Sequence, residues 1–378
     1  MSIKTCHWTM FNRSGMNQVA ETLCAAERAL GLDSHICNIQ EDKDWERFRD
    51  ADIHISHTWF PDSMRKKLTK PERMVWVGHG TPEHVVHWSY QEHQKPGWGI
   101  GDSFMLTQHA LRTAHAIVTF WPRHQWIYES MVPRERKVDL VPLGVNRAYW
   151  AAGASLGKFA GSPSFFTAEN PHTIKWPLDL ILAWPYVYRE LDGACLHAMY
   201  VTLNLHRWFA PLMNANGAAY AMHWGPSVTD HHDGLRNIFK STDFYIGLVR
   251  YGDFNCISLQ ANAANKCRTI SYHGNPYSDF WVTEGDQRTL AKELVAIVMG
   301  DAAQREKEPV PDISETARAM LSIYERILPR MAIKPLAPEH VAAITKLRAK
   351  RARRTKVLKL PVAGPVAGLD ATAGKAVG

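Results

Sequence analysis

The chain has 378 residues, 46% of them hydrophobic and 21% charged, which suits two folded domains of roughly 150 residues each. No apolar run reaches the roughly 18 residues that cross a bilayer. The opening MSIKTCHWTMFNRSG has neither a long apolar stretch nor a cleavage site, so no secretory leader is expected. The net charge of +7 sits at one end: from Met331 onward ten Lys/Arg face two acids, and the remaining residues sum to −1. The body therefore has no overall charge that argues for a polyanionic partner. Six cysteines (Cys6, Cys24, Cys37, Cys195, Cys256, Cys267) form no CxxC pair and read as reduced core thiols of a cytoplasmic protein.

In chain order, Ile3–Met10 reads as a strand. A Ser14–Gly15 turn follows, then an amphipathic helix with Val19, Leu23, Ala26 and Leu30 at helical spacing and a stop at Gly31. Further strands are expected at Ser34–Ile39, Ile53–Ser56, Met74–Val77, Ala116–Phe120 and Val138–Pro142, with helices over 104–114 and 122–131. Gly144 to Ser164, rich in Gly, Ala, Ser and Pro, is the linker candidate. The rhythm restarts with strands at Ser164–Thr167, Leu196–Val201, Ala221–Trp224, Phe244–Leu248 and Thr269–Ser271. Helices are expected at Trp176–Leu191, Gly234–Ser241, Ser258–Asn265, Gln287–Met299 and Asp312–Leu328, the last with Ser314 as its cap. A basic helix over about 339–354 and a Pro/Ala/Gly-rich, disordered end complete the chain.

Strands alternating with helices at this spacing imply right-handed βαβ units and parallel sheets. The expected organisation is a Rossmann-like domain over 1–148, a linker over 149–163, a second Rossmann-like domain over 164–311, a closing helix over 312–332 and a basic tail over 333–378. Two such halves fit a dehydrogenase, a periplasmic-type binding protein or a glycosyltransferase. Gly99–Ile100–Gly101 lacks the third glycine and the preceding strand of a dinucleotide fingerprint, and neither a P-loop nor a GxSxG elbow occurs.

The order of motifs resembles the GT-B glycosyltransferases, particularly the large retaining family usually called family 4. Lys137–Asn146 (KVDLVPLGVN) is similar to that family's V-x-V-I-P-x-G-V-D crossing, with Asn146 in place of Asp and Gly144 marking a backbone requirement. Val75–Pro82 (VWVGHGTP) resembles the strand ending in a cleft-facing histidine, which implies a catalytic role for His79; His57 follows another strand. The Ser14–Asn17 turn resembles the acceptor domain's first strand-to-helix corner, implying donor contacts from Gly15 and acceptor-side roles for Met16, Asn17 and His57.

In the second half, Phe165–Lys175 parallels a G-R-x-x-x-K-G segment; Lys175 keeps the Lys, while the Arg position falls on Glu169 or Asn170. Arg250 or Arg207 could supply the missing cation. Ala221–Pro226 resembles the strand and turn framing the base, implicating Trp224 and Gly225. Arg250–Ala263 is similar to the E-x7-E segment, with both carboxylates replaced. Asp253 stands beside the first Glu position as a second catalytic candidate, and Gln260 falls on the second. Phe254, Asn255 and Cys256 would offer backbone amides to the diphosphate.

The resemblance implies a nucleotide-sugar donor, most often UDP-linked, as substrate, no cofactor, and retention at the anomeric carbon. The DxD patterns Asp42–Asp44 and Asp50–Asp52 and the run Asp230–Asp233 read as charged surface, so no metal is expected. The N-terminal pattern also looks like phage-encoded glycosyltransferases, some of which modify hydroxymethylpyrimidines in phage DNA. Together with the tail KLRAKRARRTK, this makes DNA a candidate partner. A surface glycan or lipid, a small-molecule acceptor, a non-catalytic nucleotide-sugar-binding protein and a nucleic-acid-binding regulator remain open.

Overall fold

A computed structural model of the chain describes residues 2–10, 15–58, 60–79, 102–155, 157–169, 177–199, 203–223, 232–250 and 256–328. Two parallel six-stranded sheets organise it. The first contains β1 (Lys4–Thr9), β2 (Asp33–Asn38), β3 (Ile53–Ser56), β4 (Met74–Gly78), β5 (Ala116–Thr119) and β6 (Val138–Leu140) in the order β2-β1-β3-β4-β5-β6. The second contains β7 (Ser164–Thr167), β8 (Cys195–Met199), β9 (Tyr220–His223), β10 (Phe244–Ile246), β11 (Arg268–Tyr272) and β12 (Phe280–Val282) in the order β12-β11-β10-β7-β8-β9. Chain direction across the sheet reverses between β1 and β3 in the first and between β7 and β10 in the second. At such switch points open α/β sheets leave a crevice beyond their carboxyl ends.

The helices are α1 (Gly15–Ala29), α2 (Asp62–Arg65), α3 (Asp102–Thr113), α4 (Pro122–Met131), α5 (Arg147–Ala151), α6 (Pro177–Glu190), α7 (Leu203–Ala215), α8 (His232–Phe239), α9 (Cys256–Ala264), α10 (Gln287–Met299) and α11 (Ile313–Ile327). Helix α1 turns Val19, Ala20, Leu23 and Ala26 inward and ends where Gly31 takes a positive φ of 97°, as its stop signal requires. The 3-10 turn Trp45–Phe48 and α2 lie between strands of the first sheet.

Several expectations needed correction. Helix α7 was not expected because Pro211 and the Asn residues around it interrupt the helical pattern of Leu203–Ala215. Strand β12, only three residues long, is too short for an alternation to stand out. The linker candidate contains α5, whose N-cap is Asn146: its side chain accepts from the Tyr149 amide at 3.0 Å. Helix α11 is capped by Asp312 rather than Ser314, in a reciprocal capping box with Glu315. The expected helix over 339–354 and the tail lie outside the described residues.

Helix α11 returns to pack on α1 of the first domain. Its approach explains Gly144: a Cβ there would sit 2.4 Å from the Asp312 carbonyl oxygen. The Gly144 amide instead donates to Thr316 Oγ1 at 2.8 Å, and Thr316 donates to the Pro142 carbonyl. One apolar cluster runs from Leu23, Val75 and Val118 through Val145 and Trp150 to Phe239 and Leu259. A separate core around Phe165, Trp184, Phe244 and Leu294 fills the other face of the second sheet.

Candidate functional site

At the first switch point the structure assembles polar side chains that are far apart in the sequence. Glu27 lies on α1, one helical step beyond Leu23, so it faces the sheet with the apolar stripe and is fully buried. Its Oε2 accepts from Thr5 Oγ1 at 2.9 Å, Ser34 Oγ at 2.8 Å and His7 Nε2 at 2.9 Å; its Oε1 accepts from the Tyr324 hydroxyl at 2.7 Å. Burial opposes the charge of this carboxyl. The adjacent His7 ring and the hydrogen bonds from His7, Tyr324 and Ser34 nevertheless hold it below the usual carboxylate range. Tyr324 comes from α11, so the closing helix completes this shell.

From Glu27 a line of imidazoles leads outward. His7 Nδ1 is 2.9 Å from His57 Nε2, and His57 Nδ1 is 2.8 Å from His79 Nε2. His7 and His57 are buried, and His79, the residue after β4, is half-buried against the Phe120 ring. Burial drives His57 well below its ordinary value, with His79 and His7 adding to the effect. Burial, aided by His124, pushes His79 down to about 3. An ionised carboxylate only accepts, so His7 must donate through Nε2. With all three rings neutral, each then donates through Nε2 and accepts at Nδ1, and His79 presents Nδ1 as its outer atom.

His57 and His79, singled out in the sequence, are thus in direct contact. Sequence reasoning missed His7, Glu27 and Tyr324. A signal existed for Glu27, an acid on the apolar stripe of an amphipathic helix, and for His7, which lines one face of β1 with Thr5 and Thr9. Gly15 is the first residue of α1, and a Cβ built there meets no described atom within 4 Å. Met16 is half-buried, and Asn17 is buried with its amide donating to Glu21 Oε1 at 2.6 Å.

At the second switch point Glu169, just past β7, is buried and accepts from the Tyr245 hydroxyl at 2.7 Å. Cys256 begins α9, and Gln260 lies buried one turn further along. The Arg250 guanidinium faces Asp179 at 3.3 Å and Glu284 at 3.5 Å. Asp179, buried on α6, also accepts from the Tyr272 hydroxyl at 2.5 Å and the Gln287 amide at 2.9 Å. Arg250 is therefore held by carboxylates of its own domain. Lys175, Arg207, Trp224, Gly225, Asp253, Phe254 and Asn255 have side chains outside the described residues. The two DxD patterns pair with nearby cations: Asp42 with Arg47, Asp50 with Lys4, and Asp52 with Lys70. None of the six cysteines is bridged, and five are buried. No helix among the described residues is long and apolar enough to cross a membrane.

No protein-family model matches the sequence, and no curated protein matches it. Solved structures do match the fold. A sucrose-phosphate synthase from Thermosynechococcus elongatus superposes with a TM-score of 0.59 at 11% identity, over 92% of this chain and 98% of that one. A glycosyltransferase from Rickettsia africae gives 0.57 at 12% identity, over 87% and 100%. HepE from Anabaena, solved with UDP and glucose, gives 0.55 at 9% identity, over 93% and 99%. The fold is the two-domain α/β architecture of the GT-B glycosyltransferases.

Proposed function

We propose that this chain is a glycosyltransferase that moves a sugar from a UDP-linked donor to an acceptor hydroxyl. The observation that carries the reading is a GT-B architecture matched over nearly the full length of both chains, including HepE with UDP and glucose bound. Function does not follow from fold alone, but the side chains at the two sheet ends add support. Polar and titratable groups buried at both switch points are what a site for a charged, hydroxyl-rich substrate uses.

The second domain would hold the donor. Leaving UDP carries its charge on the diphosphate, which needs cations and backbone amides to stabilise it. Lys175 and the amides of Phe254, Asn255 and Cys256 are the proposed partners, with Trp224 and Gly225 at the base, Gln260 at the ribose and Asp253 near the transferred sugar. Arg250, engaged by Asp179 and Glu284, is the further donor-side cation. The reaction would use no cofactor.

The test is thermal stabilisation by UDP against other nucleotides, followed by UDP release from UDP-sugars. Lys175→Ala should weaken UDP binding about tenfold or more, the worth of one charge-assisted hydrogen bond. UDP that stabilises the fold, with no UDP released from any donor in the presence of acceptors, would mean a non-catalytic nucleotide-sugar-binding protein. Six unbridged cysteines support a reducing, cytoplasmic setting.

For the acceptor, the basic cluster after Met331 supports a hydroxymethylpyrimidine in DNA, because a run of cations is attracted to a phosphate backbone whatever its sequence. A mass increase on nucleosides from hydroxymethylated DNA would establish it. The resemblance implies retention, in which the departing phosphate takes the acceptor's proton and the protein needs no base. This chain nevertheless holds a file of histidines on the proposed acceptor side.

A further inference from the structure

We infer that Glu27, His7, His57 and His79 form a proton relay that takes the acceptor hydroxyl's proton at His79 Nδ1 and stores it as a His7 imidazolium beside the Glu27 carboxylate. The inference rests on the glycosyl-transfer reading and names the base for it.

Three features of the geometry carry it. The spacings of 2.9, 2.9 and 2.8 Å make an unbroken hydrogen-bonded path from the carboxylate to the half-buried ring. Glu27 accepts four hydrogen bonds, the pattern of an ionised carboxylate, and so sets the direction of every bond in the file. Among the described residues, His7 is the ring of the three that touches a carboxylate. His57 and His79 are poor places for a charge, since burial disfavours their protonated forms. A proton entering at His79 therefore does not rest there.

The acceptor oxygen bonds to the sugar's anomeric carbon while the bond from that carbon to the diphosphate breaks, its electron pair leaving with UDP. The hydroxyl proton passes to His79 Nδ1. His79 gives its Nε2 proton to His57 Nδ1, and His57 gives its Nε2 proton to His7 Nδ1. His7 keeps its Nε2–H on Glu27 and becomes cationic. A lone buried anion has become a neutral pair, and this drives uptake by a ring that is weakly basic on its own. The proton later returns to solvent by the same path. Because the proton leaves on the acceptor side, the relay favours displacement with inversion over the retention that the sequence resemblance implies.

The groups facing the relay are Glu27, Tyr324, Thr5 and Ser34 at its inner end, with Cys24 near Glu27 and His124 near His79. The test is imidazole 15N–1H NMR of the full chain across pH. At neutral pH, His57 and His79 should both carry their proton on Nε2. On acidification His7 should become doubly protonated, and in the same step His57 and His79 should move their protons to Nδ1 without becoming cationic. Either ring titrating alone, or keeping its tautomer while His7 protonates, would overturn the relay.

Glu27→Gln, which removes the anion beside which the proton is stored, should abolish the paired tautomer change of His57 and His79. If that variant does not fold, His57→Asn leaves the Glu27–His7 pair in place and should uncouple His79 from His7. With UDP-glucose as probe and water or an acceptor as nucleophile, His57→Asn should lower kcat about a hundredfold with KM unchanged. An unchanged kcat would overturn the base assignment. Thermal stabilisation by UDP separates the two ideas. UDP binding without the coupled titration leaves the donor site standing and removes the relay. The coupled titration without UDP binding removes glycosyl transfer and, with it, this use of the relay.

Discussion

Each of the two sheets buries a glutamate beside its switch point, but the two are wired differently. Glu27 faces a file of three imidazoles, and Glu169 faces the phenol of Tyr245. Burial, reinforced by Glu169, raises Tyr245 well above its ordinary value, so this hydroxyl keeps its proton at any physiological pH. It is a fixed donor. Imidazoles can give and take protons near neutrality. The same device, a buried carboxylate at a sheet crossover, therefore makes a proton path in one domain and a rigid polar contact in the other. That division is what the proposed transfer would require, with a proton lost on one side and charge held still on the other.

Removing the two carboxylates should expose the difference most strongly. Glu27→Ala leaves four buried donors without their acceptor and should destabilise the protein by about 3–5 kcal/mol. Glu169→Gln leaves Tyr245 an acceptor oxygen and should cost about 1 kcal/mol. Urea unfolding of both variants measures the gap. Equal losses would mean that Glu27 is no more central to its shell than Glu169 is.

Acid should act mainly through the first domain. Burial lowers His54 to about 4, with Lys70 adding to the effect; it lowers His79 to about 3 and His57 well below its usual value. A histidine whose folded pKa is depressed binds protons more readily when unfolded, so its contribution to stability falls as pH drops below about 6.5. Each such group contributes a slope of about 1.4 kcal/mol per pH unit until its folded pKa is reached. Glu27, also depressed, adds a loss of the same sign below the carboxylate range. Unfolding free energy should therefore fall steeply from pH 6.5 to 4, and His57→Asn should make the slope shallower by about one histidine's share. In the second domain, burial lowers His197 while a hydrogen bond to the Ala160 carbonyl counters it, so His197→Asn should change the slope less.

The sheet strands were legible because short β-branched and apolar runs bounded by turns repeat through both halves, and only β12 was missed. The PLGVN crossing was legible because Gly144 must admit the Asp312 carbonyl and Asn146 caps α5, requirements that act over a few residues. His57 and His79 could be suspected because each directly follows a strand. The relay itself was not legible. It joins residues 7, 27, 57, 79 and 324, whose contact depends on strand order and on a helix returning from the far end of the chain. Arg250 shows the converse: the sequence offers a free-looking cation near the donor motif, and the fold surrounds it with Asp179 and Glu284.

The returning helix gives a smaller test of the same comparison, because it brings Tyr324 to Glu27. Gly144→Ala places a methyl group 2.4 Å from the backbone at the start of α11, which must shift. Overpacking of this kind costs about 1–3 kcal/mol. The strain should loosen the Tyr324–Glu27 bond and raise the pH at which the first domain loses stability, leaving the Tyr245–Glu169 pair as it was. Unfolding curves at pH 7 and 5, with tyrosine hydroxyl exchange followed by NMR, would show whether the effect stays on the first side.

The smallest effect on stability should come from deleting residues 335–378, which carry nine Lys/Arg and two acids. The sheets, both buried glutamates and the capping box of α11 all lie before this segment, so the unfolding free energy should change by no more than about 0.5 kcal/mol. Association with DNA should change far more. A full-length chain whose tail neutralises about five phosphates would lose about 10² or more in affinity between 50 and 200 mM salt, and the truncated chain would lose most of both the affinity and the slope. UDP stabilisation and the coupled histidine titration should survive the deletion. If they do, the switch points act independently of the tail, and the basic segment governs only which acceptor is delivered to them. If either fails, the contrast between a proton-carrying and a charge-holding domain must be redrawn to include the tail.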